Sequence, residues 1–296
     1  MNLSRKEFDV LVFVEKCGLN VTTQREIAKQ TDMSLGTANK ILTDLTQKEF
    51  IKDGVITKNG INVLEPYKVK RAVILAAGFG SRLVPVTLNT PKPLVRVKGV
   101  RMIDTLLDAL TELGIEDITI VRGYLGEQFD QLLYKYPNIK FIENPAYNES
   151  NNISSAMCIR YLLRNAYVME ADLVLANPSI LCRYHYTSNY LGVPTELTDD
   201  WCFETKDKLI TKVKIGGTDC YHMFGISYWN EADGARMAEH IKAVYEMPGG
   251  KERYWDQVAL EFFHDFYKIE VKPCTFEDIV EIDTYRDLKK MDSTYC

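Results

Sequence analysis

Val73-Ile-Leu-Ala-Ala-Gly-Phe-Gly-Ser-Arg-Leu83, followed by Thr90-Pro-Lys-Pro-Leu94, joins an apolar strand, a glycine-rich turn and two cations. Val73 to Ala77 has the length and composition of a central strand. Gly78 and Gly80 allow a tight turn and a close backbone approach to a ligand, and amides left unpaired by such a turn point at phosphates. The spacing therefore predicts a nucleoside triphosphate site formed by Leu75, Ala76, Ala77, Gly78, Phe79, Gly80, Ser81 and Arg82. Arg82 can offer a planar fork to the β- and γ-phosphates. Lys92, just after Pro91, can reach the α-phosphate, where chemistry would occur.

Spacing separates this string from better-known glycine motifs. A dinucleotide fingerprint needs a third glycine where this chain has Leu83, and the P-loop needs Gly-Lys-Ser/Thr, which is missing. The full pattern, Leu-Ala-Ala-Gly-x-Gly-Ser-Arg-Leu-x-Pro-x-Thr with a later Pro-Lys-Pro-Leu, resembles the signature of nucleotidyltransferases that make nucleoside-diphosphate sugars and alcohols.

The 296 residues exceed one average domain, and 46% hydrophobic with 26% charged residues is a composition that can bury a sizeable core. The N-terminus, with Arg5, Lys6, Glu7 and Asp9, lacks the apolar stretch of a signal peptide, and the apolar runs are only strand-sized, so a cytoplasmic protein is expected. Cysteines 17, 158, 182, 202, 220, 274 and 296 contain no Cys-x-x-Cys pair, which supports neither a disulfide framework nor a zinc site. His185, His222, His240 and His264 have no spacing that suggests a metal or a triad.

Charge divides unevenly. Residues 1–70 carry 11 Lys/Arg against 9 Asp/Glu, net +2, and residues 71–296 carry 25 against 32, net −7. The division coincides with a change from helical periodicity to alternating strand and helix patterns, giving an N-terminal domain over 1–66, a linker at 67–70 and a catalytic domain over 71–296. In the first part, Leu3 to Lys16 has apolar residues at helical spacing, Thr23-Gln-Arg-Glu26 is a capping box, and Ser34 can cap a helix with Leu35, Ala38, Ile41, Leu42 and Leu45 on one face. Phe50 to Thr57 reads as a hairpin around Asp53-Gly54. These elements resemble a winged helix-turn-helix domain of the multiple-antibiotic-resistance regulator type. The resemblance implies DNA binding, with Thr37, Asn39, Lys40 and Thr43 in the major groove and Lys52 or Lys58 near phosphates. A net charge of +2 is small for that task, and winged helices also serve as protein-contact modules.

The remainder predicts a mostly parallel sheet with a Rossmann-like α/β organisation. Expected strands are 72–76, 118–122, 140–143, 166–170, 209–215, 223–227 and 266–271; expected helices are 104–113, 128–134, 154–163 and 231–245. Ligands of such sheets collect at the carboxyl ends of the strands. Tyr167-Val-Met-Glu-Ala-Asp172 ends an apolar strand in acid there, and Ile279-Val-Glu-Ile-Asp283 ends a second. Asp172 and Asp283 are candidate ligands of Mg²⁺, which takes one or two carboxylates and bridges phosphates. Glu170 and Glu281 are expected behind them or in solvent.

Trp201, Trp229 and Trp255 all fall late in the chain, with Tyr228 and Tyr254 beside two of them and Asp199, Asp200 and Asp256 adjacent. Aromatic faces attract quaternary ammonium groups by about 0.5–2 kcal/mol per well-placed ring. Such rings also fill cores, and Tyr228 and Trp229 cannot share one face of a strand.

A narrower resemblance covers nearly all of residues 71–296. The glycine-rich string, Thr90-Pro-Lys92, Val121 to Phe129, Tyr147 to Ser154, Glu170-Ala-Asp172, Asp200-Trp201, Gly225 to Trp229, Tyr254-Trp-Asp256 and Glu281-Ile-Asp283 resemble bacterial CTP:phosphocholine cytidylyltransferases. The chain departs from that pattern in having Glu170 where an aspartate is usual and in carrying the extra N-terminal domain. The resemblance implies an enzyme that uses CTP and Mg²⁺, with Lys92 and Arg82 catalytic. It further implies Gly123, Tyr124 and Asn152 at the base or ribose, and Trp201, Tyr228, Trp255 and Asp256 around choline. The implied reaction is direct displacement, in which a phosphocholine oxygen attacks the α-phosphorus and pyrophosphate leaves, giving CDP-choline. Another phospho-amine or phosphonate such as 2-aminoethylphosphonate is an alternative acceptor. A different alternative is a transcription regulator whose nucleotidyltransferase-like domain only senses CTP or a CDP-alcohol. Expected partners are the substrates, DNA through the N-terminal domain and a second copy of the chain, with no membrane.

Overall fold

The computed structural model describes residues 3–295. Cys296 lies outside the described residues; the other cysteines are free thiols. The backbone forms two compact units, Met1–Lys68 with Tyr184–Tyr186, and Val69–Arg183 with Thr187–Cys296.

The first unit contains α1 (Arg5–Lys16), α2 (Gln24–Gln30), α3 (Leu35–Gln47), a ribbon of β1 (Ile51–Lys52) and β2 (Val55–Ile56), and α4 (Lys58–Leu64). Its helices start where a hydroxyl can satisfy an orphan amide: Ser4 and Thr23 form capping boxes with Glu7 and Glu26, and Ser34 accepts from Thr37 N. The Ser4 box is why α1 begins at Arg5 and not at Leu3. Asp53 and Gly54 both have positive φ, 51° and 77°, as the two-residue turn between twisted antiparallel strands requires. Phe8, Leu11, Val14, Ile27, Ala38 and Leu45 form the buried centre.

The second unit runs through β3 (Arg71–Ala76), a small ribbon of β4 (Arg96–Val97) and β5 (Val100–Arg101), α5 (Met102–Glu112), β6 (Asp117–Arg122), β7 (Lys140–Glu143), α6 (Ile153–Ile159), β8 (Ala166–Glu170) and β9 (Leu173–Leu175). It continues with β10 (Asn189–Lys206), β11 (Leu209–Trp229), α7 (Glu231–Glu246), β12 (Glu270–Pro273), β13 (Ile279–Glu281) and α8 (Tyr285–Met291). Seven strands form a mixed sheet in the order β10-β12-β11-β8-β3-β6-β7. Its β8-β3-β6-β7 core is parallel and β11 joins it antiparallel. Alternate residues of β3 enter opposite cores, Ala72 and Ile74 on one face, Val73 and Leu75 on the other. Burial on both faces explains the unbroken apolar run.

Several expected elements differ. The helix at 128–134 is a 3₁₀ segment over Gly126–Tyr134, because burying Phe129 and Leu132 at a spacing of three suits three residues per turn. The helix at 154–163 ends at Ile159 and continues as a 3₁₀ turn. The strands at 209–215 and 223–227 are one strand, β11, kinked at Gly216 with φ 72°. Residues 264–266 form a 3₁₀ turn, so the expected strand at 266–271 starts only at Glu270. The partner of β11, β10, had no expectation at all: its polar middle, Thr195 to Asp200, reads as a loop.

Helix α7 lies so close to the end of the 3₁₀ turn after α6 that a Cβ on Gly234 would be 2.2 Å from Leu163 O. Gly234→Ala gains about 0.5–1 kcal/mol of helix propensity but overpacks against rigid backbone, which costs about 1–3 kcal/mol. The expected net result is a lowered Tm, measured by thermal unfolding.

Candidate active site

The carboxyl ends of β3 and β8 open into a cavity of about 430 Å³, within the range that holds small ligands. One wall is the turn after β3. Gly80 adopts φ 67°, a left-handed conformation that strains other residues. A Cβ there would lie 2.9 Å from Lys92 Cβ and 3.2 Å from Thr87 Cγ2, so the bare glycine lets the Lys92 segment close against the turn. A Cβ at Gly78 would meet nothing within 4 Å, so no packing in the structure requires the glycine there.

Lys92 lies between two prolines, in a short 3₁₀ turn, with only 8% of its surface exposed. Its Nζ donates to Asp172 Oδ2 at 3.0 Å and to Asp283 Oδ1 at 3.4 Å. Burial opposes its charge, but the two aspartates outweigh that cost and raise its pKa above the ordinary lysine value. Arg82, 67% exposed by its side chain, is ion-paired with Asp283. The two aspartates, 111 positions apart, meet because β9 and β13 pair: Glu281 aligns with Leu173, and Ile282 N donates to Asp172 O at 3.0 Å.

Asp172, Glu281 and Asp283 bring one ligand oxygen each to within 4.8 Å of one another. Asp172 Oδ1 is buried with no hydrogen-bond partner among the described residues. A carboxylate oxygen can only accept, so an unpartnered one facing other hard oxygens fits a divalent cation such as Mg²⁺. Glu281 has its pKa raised to about 8 by burial and by the neighbouring Asp172 and Asp283.

The cavity lining carries further acid and the rings of Tyr147, Trp201 and Tyr254. Glu170 accepts from Asn152 Nδ2 at 2.9 Å. Its pKa is well above the carboxylate range through burial, then through Asp172 and Asp256. A Cβ on Gly225 would overlap Glu170 Cγ at 2.6 Å, so this glycine makes the room for the longer acid. Asp256, pushed up to about 7 by burial, accepts from Tyr190 Oη at 2.9 Å. The rings of Trp201 and Tyr254 lie edge to face at 5.7 Å.

Residues 71–189 match the nucleotidyl transferase family model. The chain is 36% identical over 228 residues to a 2-aminoethylphosphonate cytidylyltransferase of Lancefieldella rimae, an alignment spanning 76% of this chain and 92% of that one. It is 32% identical over 230 residues to a choline-phosphate cytidylyltransferase of Streptococcus pneumoniae, spanning 75% and 96%. A solved structure of the CTP:phosphocholine cytidylyltransferase of Streptococcus pneumoniae superposes with a TM-score of 0.71 at 31% identity, covering 76% of this chain and 99% of that one. The chain belongs to the nucleotidyltransferase family. It is an enzyme of the nucleotidyltransferase type.

In this nucleotidyltransferase the cavity brings together Leu75, Ala76, Ala77, Gly78, Gly80, Ser81, Arg82, Lys92, Asn152, Asp172, Asp283, Trp201 and Asp256. Other expected residues fall outside its lining. Tyr228 is fully buried in the core on the opposite face, its Oη donating to Asn165 Oδ1 at 3.2 Å. Trp255 stacks on Tyr190 in the other core, and only its backbone amide reaches a lining residue, Asn152 Oδ1, at 2.8 Å. Phe79 turns outward against Tyr124, with centroids 4.4 Å apart, and Gly123 is covered by Tyr147. The sequence reading missed Asn144, whose Nδ2 donates to Ser154 and Ser155 at 2.9 and 3.0 Å, and gave no role to Tyr147. It also set aside His222, which lies with Asp200 and Glu281 in a second cluster of potential ligand atoms and contacts Thr198 Oγ1 through Nδ1 at 3.0 Å. Alternation along β10 and β11 could have suggested His222 only if β10 had been recognised as a strand.

Lys92→Ala should lower turnover by about 10²–10³-fold, the cost of losing one preorganised charge donor, with a much smaller change in nucleotide affinity. Steady-state kinetics and equilibrium nucleotide binding on the same variant check the split.

Proposed function

We propose that the enzyme transfers the cytidylyl group of CTP to a small acceptor with a phosphate or phosphonate at one end and a primary ammonium at the other. Supporting the nucleotide half are the relatives named for cytidylyl transfer and the Gly80, Arg82 and Lys92 wall. The acceptor half rests chiefly on one observation: beside the metal cluster the cavity lining includes the carboxyls of Glu170, Asp256 and Asp200, with the rings of Tyr147, Trp201 and Tyr254. A trimethylammonium group is held by several aromatic faces, whereas a primary ammonium needs acceptors for three donors. Tyr228 and Trp255 lie in the cores, outside that lining. This favours a 2-aminoethylphosphonate-like acceptor, the substrate named for the Lancefieldella relative, over phosphocholine.

The reaction is an in-line displacement. An acceptor P–O⁻ oxygen attacks the α-phosphorus of CTP, a P–O–P bond forms, the α–β bond breaks, and pyrophosphate leaves with the electron pair. No enzyme nucleophile is needed. The site orients two anions that repel each other in solution and stabilises the charge that moves onto the leaving group. Lys92 neutralises the reacting α-phosphate, and Arg82, exposed at the cavity mouth, follows the outgoing pyrophosphate. Asp172 and Asp283, with Glu281 beside them, would hold Mg²⁺, which supplies charge neutralisation to the phosphate oxygens. Asn152, tied to Glu170 and to the Trp255 amide, positions the ribose end.

Pyrophosphate release with CTP and Mg²⁺ tests this when phosphocholine, phosphoethanolamine, 2-aminoethylphosphonate and glucose-1-phosphate are offered in parallel. Primary-amine acceptors should exceed phosphocholine by at least about tenfold in kcat/KM, the scale of one well-made charged contact. Preference for phosphocholine would return the choline reading, and preference for the sugar phosphate would discard both.

For the first unit we propose a winged-helix module that contacts DNA through α3. Its Asn39, Lys40 and Thr43 are exposed, as are Lys52 and Lys58, with Thr37 half-buried. Few phosphates can be neutralised by a net charge of +2, so the slope of log affinity against log salt should be shallow, about −2 to −4 by counterion release. Fluorescence anisotropy with duplex DNA across 25–200 mM salt checks it, and no binding at the lowest salt contradicts it.

A further inference from the structure

The position of the Lys92 ammonium has a consequence for how the cation site fills. Its Nζ is 3.0 Å from Asp172 Oδ2 and 3.4 Å from Asp283 Oδ1, two members of the oxygen cluster completed by Glu281. Mg²⁺ binds carboxylate oxygens at about 2.0–2.1 Å, so a divalent ion bridging the same two oxygens, Asp172 Oδ2 and Asp283 Oδ1, would stand where the ammonium stands. The two cations exclude each other by size and repel by charge.

The lysine is built into this position. Its backbone is fixed between Pro91 and Pro93, and its Cβ is held against Gly80, leaving only the four-carbon stem to move. Acidic groups surround it: Asp172, Asp283 and Glu281 all act on its charge. Arg82 is the other cation on this cluster, and its exposed side chain reaches Asp283 from the solvent side. Lys92 is therefore the buried compensating charge of the cluster. Taking it away leaves three half-buried carboxylates close together with only the exposed Arg82 to compensate them, a state that costs more than an ordinary surface charge. A divalent ion relieves that cost.

We propose that Lys92 is the resident counter-cation of the metal site: without nucleotide it competes with the divalent ion for Asp172 and Asp283, and nucleotide phosphates draw it away. One side chain thus has two stations, on the carboxylates before the nucleotide arrives and on the α-phosphate afterwards. Uptake of the metal is coupled to uptake of the nucleotide, because each vacates or fills the place the other requires. This inference rests on reading Asp172 and Asp283 as the metal ligands.

Direct Mn²⁺ binding to the full chain, read from the electron paramagnetic resonance signal of free Mn²⁺ without nucleotide, tests it independently of turnover. Lys92→Met keeps the stem and removes the charge. It should bind Mn²⁺ at least about tenfold more tightly than the parent, since removing a cation in contact with the ligands lifts a repulsion even at surface-like screening. Lys92→Arg, which keeps the charge, should stay near the parent. Lys92→Gln serves as the second neutral variant if Lys92→Met does not fold. Equal or weaker Mn²⁺ binding by the neutral variants overturns the proposal. Adding Asp172→Asn to Lys92→Met separates the two layers: the gain should vanish, and a double variant that binds as tightly as Lys92→Met would overturn the ligand reading itself.

Discussion

Asp172 and Asp283 are held together on one buried ammonium, and most of the catalytic architecture follows from that contact. Two carboxylates this close repel unless a cation compensates them, and a buried cation costs more than it returns unless its partners are well placed. The ribbon of β9 and β13 provides the placement, since Glu281 opposite Leu173 and the Ile282 amide on Asp172 O fix both aspartates to one short ladder. The two prolines around Lys92 and the absent side chain at Gly80 supply the cation from the other wall.

The same electrostatics extends along the cavity. Glu170, Asp256 and Glu281 each have their pKa raised by burial, and Glu170 and Glu281 by their acidic neighbours as well. A site so rich in acid would repel a nucleoside triphosphate and a phosphonate if it acted alone. The proposed chemistry resolves this by charge inventory: a divalent ion, Lys92 and Arg82 answer the phosphates, and an acceptor that carries its own ammonium answers the remaining carboxylates. Gly225 on β11 belongs to this inventory because any side chain there would expel Glu170.

The sequence was most legible where one segment decides its own structure. The strand and turn at 73–83 are local, as are the Thr23 capping box and the positive-φ turn at Asp53-Gly54, and all three formed as their residue types dictate. The approach of Asp172 to Asp283 was legible only as a pair of acidic strand ends, because the pairing that unites them is long-range. Tyr228 and Trp255, expected around the acceptor, lie in the cores for a related reason. Tyr228 and Trp229 are neighbours on a strand buried on both faces, so each enters a core, and composition alone gives no sign that Trp201, on the missed strand β10, reaches the cavity while they do not. Lys92 was expected at a phosphate; its contact with both aspartates could not be read from its Pro-Lys-Pro context.

The identity of the bond formed tests the central claim most directly. ³¹P NMR of the enzyme with CTP, Mg²⁺ and 2-aminoethylphosphonate should show a new pair of mutually coupled resonances from a phosphonate–phosphate anhydride, in step with equimolar pyrophosphate. Appearance of CDP and inorganic phosphate, or CTP left intact with every phospho-amine offered, would contradict attack at the α-phosphorus and with it the role assigned to Lys92 and its two aspartates.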